Sequence, residues 1–91
     1  MNAQRRKQIK AVKKTLQSAI ETFKAECEAA VDSLESIKDE ELEVYENLKN
    51  QDGPRGEASQ EVMGRIEDLI EYLQDPARDV EESVDGLMEA L

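Results

Sequence analysis

The sequence contains no histidine and no tryptophan, a single cysteine (Cys27), one phenylalanine and two tyrosines. Without histidine the chain lacks the usual general base at neutral pH and the commonest zinc ligand. A lone cysteine cannot close an internal disulfide and points to a reducing compartment. With three aromatic residues, any core must be built from Leu, Ile, Val, Met and Ala. Two prolines and four glycines in 91 residues leave few places where a helix must break. No apolar run approaches the ~20 residues needed to span a bilayer, and the basic start lacks the continuous apolar stretch of a secretory signal. The expected location is the cytoplasm.

Charged residues are abundant, at 37% of the chain, with a formal net charge of −10. Such a mixture could be disordered, but its apolar residues are regularly spaced. Ile9, Val12, Leu16, Ile20, Phe23, Cys27, Ala30, Leu34, Ile37, Leu42, Tyr45 and Leu48 recur in steps of three to five, mostly three or four, as on one helix face. The cluster Asn50-Gln51-Asp52-Gly53-Pro54-Arg55-Gly56 then marks a turn. A second stripe runs through Val62, Ile66, Leu69, Ile70, Leu73, Ala77, Val80, Val84, Leu87 and Leu91. Asp75-Pro76 interrupts it and reads as an N-cap followed by a first helical position.

The expected fold is therefore all-α, a single helical domain over residues 1–91. A helix over about 3–48, a turn at 49–57 and a helix over about 58–91, kinked or split near 75–76, form a long antiparallel hairpin. Facing residues whose numbers total 107 pair Tyr45 with Val62, Ile37 with Ile70, Leu34 with Leu73 and Ala30 with Ala77. In this register residues 1–15 extend beyond the partner helix. Two helices bury little apolar surface against the backbone entropy lost, ~1–2 kcal/mol per residue. Dimerisation into a four-helix arrangement is expected for that reason.

Few residue clusters could carry chemistry. Asp39, Glu40, Glu41 and Glu43 on the first helix lie near Asp68 and Glu71 on the second. Carboxylates one turn apart can hold Mg²⁺, as in all-helical, Mg-dependent nucleotide pyrophosphatases. That alternative lacks the basic and polar groups a substrate needs, so no catalytic, metal or cofactor site is assigned. Cys27, Tyr45, Met63 and Met88 read as packing residues, and Tyr72, one position off the stripe, as the flank of a dimer. Residues 1–24 carry a net charge of +6 and residues 25–91 a net charge of −16. The basic segment Arg5, Arg6, Lys7, Lys10, Lys13 and Lys14 could contact phosphate, but no aromatic residue lies near to stack on bases and the remaining charge repels nucleic acid. The candidate partner-binding residues are Arg5, Arg6, Lys7, Ile9, Lys10 and Val12 at the start, with Glu67 and Glu71 on the acidic helix. Helix carboxylates one turn apart lie ~5–6 Å from each other and can imitate a nucleic-acid backbone.

Asn2, Arg5, Arg6 and Lys7, followed by Ile37-Lys38-Asp39-Glu40-Glu41, Asn47-Leu48 and Arg55-Gly56-Glu57, form a recognisable series. It resembles that of small acidic helical accessory proteins of phages, prophages and plasmids. Where that group has Pro-Glu-x-Leu-Gln after Asn-Leu, this chain has Lys49 to Pro54. The resemblance implies a mobile-element setting in a bacterial host and no particular activity. The favoured expectation is a dimeric, non-enzymatic, protein-binding accessory factor. It would block a host nucleic-acid enzyme or defence protein by charge mimicry. A self-assembling structural protein is the alternative.

Overall fold

The computed structural model describes residues 2–91, and all their regular structure is helical. Helix α1 spans Ala3–Glu46, α2 spans Pro54–Leu73 and α3 spans Arg78–Glu89. The fold is all-α, with the long helix packed against a second, interrupted one. Its chain divides into two compact units. One comprises residues up to Glu26 together with Asp75–Leu91, and the other is Cys27–Gln74.

Local chemistry sets the helix ends. The Asn2 side-chain carbonyl accepts a hydrogen bond from the Arg5 amide at 2.8 Å, capping the start of α1. At its other end the Asn47 side-chain amide donates to the Glu43 carbonyl at 2.9 Å, and that of Gln51 donates to the Tyr45 carbonyl at 3.3 Å. Each adds a second donor to a carbonyl that already accepts a backbone amide, from Asn47 and Leu48 respectively, and so ties the end of α1 to the turn. Helix α2 starts four residues earlier than the sequence pattern indicates. Gly53 is its N-cap, in extended conformation, and Pro54 its first residue, where the missing N–H costs nothing. Pro54 thus starts a helix within the expected turn at 49–57.

The second break also differs in detail from the expected cap. Helix α3 begins at Arg78 after Ala77, with Pro76 outside the helix. Asp75 does not cap it; the Asp75 carboxylate pairs instead with Arg78 Nε at 3.3 Å.

In the unit Cys27–Gln74, α1 and α2 pack as an antiparallel hairpin. Val31, Leu34, Lys38, Glu41, Tyr45 and Leu48 are partly shielded along α1 and its end, at alternating steps of three and four. On α2 the shielded line is Gly56, Ser59, Met63, Ile66, Ile70 and Leu73. The cross-helix contacts Lys38–Glu67 and Tyr45–Gln60 join residues whose numbers total 105, and Glu41–Ser59 totals 100. In the other unit Lys24–Glu81 also totals 105. The expected total of 107 is therefore corrected downward by two. Besides this shift along the axis, α2 is rotated, so that Met63 turns inward and Val62 and Leu69 stay half-exposed.

Gly56 is buried where the turn folds back over the start of α2. A Cβ there would collide with the Gln51 backbone carbonyl group, which cannot swing aside as a side-chain tip can. By contrast, a Cβ at Gly64 meets nothing within 4 Å. Gly56→Ala is expected to destabilise the protein by about 1–3 kcal/mol. Gly64→Ala should stabilise it by about 0.5–1 kcal/mol through helix propensity. Urea denaturation of the two variants checks both signs.

Candidate interaction surfaces

Each unit has one edge closed by polar contacts and another left apolar. In the hairpin unit, Lys38 Nζ lies 3.4 Å from Glu67 Oε1, and the Gln60 amide donates to the Tyr45 hydroxyl at 2.8 Å. These bridges join α1 and α2 along one edge. Close to the hairpin turn, the buried Ser59 hydroxyl donates to Glu41 Oε1 at 2.6 Å. Along the other edge Val44 and Val62 line a common shallow groove with Leu48 and Ala58. In the unit that contains α3, Lys24 Nζ pairs with Glu81 Oε1 at 2.7 Å. There Val12, Phe23, Val80 and Leu87 remain half-exposed.

The hydrogen bond to Glu81 raises the Lys24 pKa above its ordinary 10.5, assisted by the charges of Glu81, Asp75 and Glu21 and opposed by desolvation. Because the folded pKa is the higher one, this contribution to stability is complete below 10.5 and is lost as pH rises through the folded value.

The candidate partner-binding residues separate into distinct environments. Arg5, Arg6, Lys7, Lys10 and Val12 are exposed in the first turns of α1, and Ile9 is half-buried. Glu71 is exposed, whereas Glu67 is engaged by Lys38. The two therefore do not form a free carboxylate pair. Sequence reasoning missed a longer series on α1. Glu28, Asp32, Glu35, Asp39, Glu43 and Glu46 are exposed at three- and four-residue steps. None of the six makes an ion pair among the described residues. The signal was present in the sequence, although the acidic run around Asp39 obscured it.

Among the described residues no group of three or more Cys, Asp and Glu side chains is placed to hold a metal ion. Glu41, one of the acids considered for that role, is committed to Ser59. Cys27 is buried as a free thiol. No described helix is long and apolar enough to cross a membrane. Comparison of the chain with protein-family models, curated proteins and solved structures gives no match. Its surface chemistry therefore carries the functional reading.

Two substitutions probe these contacts. Ser59→Ala leaves a partly shielded carboxylate without its donor and should cost about 1 kcal/mol in denaturant titration. Lys24→Met should lower the thermal midpoint at neutral pH. The difference from the parent should shrink as pH rises through the Lys24 pKa, above 10.5. A difference constant to high pH would mean that packing of the stem matters and the ion pair does not.

Proposed function

We propose that this chain is a dimeric, non-enzymatic accessory factor, encoded by a phage or other mobile element. It binds a host or phage protein through its acidic surface and occupies the nucleic-acid site of an enzyme or defence protein. The observation supporting this reading is the series of unpaired carboxylates on α1 from Glu28 to Glu46. Neighbouring members are ~5–6 Å apart and belong to one rigid helix. They present negative charge in a fixed linear order, as a nucleic-acid backbone does. A flexible acidic tail would have to lose conformational entropy on binding, which a preformed helix avoids.

The basic start of α1 has a separate role in this reading. Arg5, Arg6, Lys7 and Lys10, with Ile9 and Val12, form a cationic amphipathic segment suited to an acidic protein surface. Removing its apolar contacts, as in Ile9→Glu with Val12→Glu, separates that surface from the acidic one.

The test uses the immobilised chain and a bacterial lysate, followed by competition with duplex DNA for each retained protein. Retention should weaken steeply between low and high salt, and DNA should displace the chain. Reversal of Glu35 and Asp39 to Lys should reduce retention more than Glu67→Lys, because Lys38 already engages Glu67. Retention indifferent to both salt and DNA would refute charge mimicry.

A further inference from the structure

The exposed apolar residues of the hairpin unit have a regular layout. Ile37 and Val44 on α1 are 49% and 51% exposed, and Val62 and Leu69 on α2 are each 46% exposed. Each pair is one heptad apart, so both members lie on nearly the same side of their helix. The groove shared by Val44 and Val62 places the two pairs on one face.

A charge sits within each pair. Glu40 follows Ile37 by three and precedes Val44 by four; Arg65 follows Val62 by three and precedes Leu69 by four. Both are exposed on the same side as their apolar neighbours. Arg65 has only a long contact with Glu61, at 3.9 Å. With cross-helix pairs totalling 105, Glu40 and Arg65 lie at the same level along the hairpin. Ile37 is nearly level with Leu69, and Val44 with Val62.

That pattern complements itself. A twofold axis parallel to the helices preserves levels and exchanges α1 for α2. It would stack two hairpins face to face, with α1 of one copy over α2 of the other. The apolar layers then coincide, Glu40 of each copy meets Arg65 of the other, and neighbouring helices are antiparallel as in a four-helix bundle. The exposed area agrees. The chain exposes 7192 Å², whereas a compact protein of 10.3 kDa exposes about 5,400 Å². The excess exceeds the ~800 Å² per partner of a standard interface.

We propose that a second copy of this chain docks on the face formed by Ile37, Val44, Val62 and Leu69, with Glu40 of each copy paired to Arg65 of the other. This assignment rests on the dimeric reading above and adds its surface and register.

Charge reversal and mixing test it, with mass measured by sedimentation equilibrium and folding by circular dichroism. The parent should have twice the chain mass. Glu40→Arg alone sets two arginines against each other at each of the two cross-copy contacts, and Arg65→Glu alone sets two carboxylates against each other there. Each should weaken dimerisation by roughly tenfold or more while retaining helicity. Mixing the two variants should restore the dimer as a one-to-one hetero-pair, because both cross-copy contacts again join opposite charges. Val44→Glu should give a monomer. Leu42→Glu, also at an exposed residue of α1 but outside the proposed face, should leave the dimer intact.

A parent that remains monomeric at about millimolar concentration would overturn both this assignment and the dimeric reading. A dimeric parent with unaffected charge variants, or a mixture no more dimeric than either variant alone, would overturn the assigned face alone. So would equal loss of the dimer in Leu42→Glu and Val44→Glu.

Discussion

An antiparallel pair of helices can shield only a narrow line of side chains on each partner. That limit governs the rest of this structure. A heptad contains enough apolar residues for a stripe wider than one such contact, and α1 has apolar residues at Phe23, Ala30, Ile37 and Val44 beside the line that faces its neighbour. The shielded line includes Lys24, Lys38 and Glu41, although more apolar residues stand one position away. Burial is correspondingly slight. Among the described residues the only buried apolar ones are Cys27 and Ala77, and no large side chain is fully buried.

The polar contacts explain how the rotation is maintained. Lysine can lay its aliphatic stem along an apolar seam and still place its ammonium in water. Lys24 and Lys38 use that property, each meeting a carboxylate of the opposing helix. The bridges close one edge of each helix pair, and the Ser59–Glu41 bond fixes the level near the hairpin turn. Exposed ion pairs contribute little stability individually. Their effect here is to select one edge for polar contact, leaving the valines and leucines on the other. Charge follows the same division, since the carboxylates from Glu28 to Glu46 lie away from the half-exposed apolar pairs.

Much of the fold was legible in local chemistry. The apolar spacing identified two helical stripes, the Gly53-Pro54 region identified the reversal, and Pro76 identified the break. These features depend on backbone preferences within a few residues. The boundaries were less legible because the same residue can stop or start a helix. Pro54 is compatible with either role, and the preceding extended Gly53 decides that it starts one. Likewise Asp75 resembles an N-cap, but its carboxylate turns to Arg78.

By itself the sequence determined an acidic, helical chain with apolar stripes, because periodicity and charge are properties of neighbouring residues. Only the tertiary structure decided which flank of each stripe is covered. Rotating one helix by a single position exchanges Val62 for Met63 at little change in apolar content, so composition cannot distinguish the two arrangements. The distant partners Lys38–Glu67, Tyr45–Gln60 and Glu41–Ser59 supply that distinction. They bring polar residues to the contact and leave Ile37, Val44, Val62 and Leu69 on its open face.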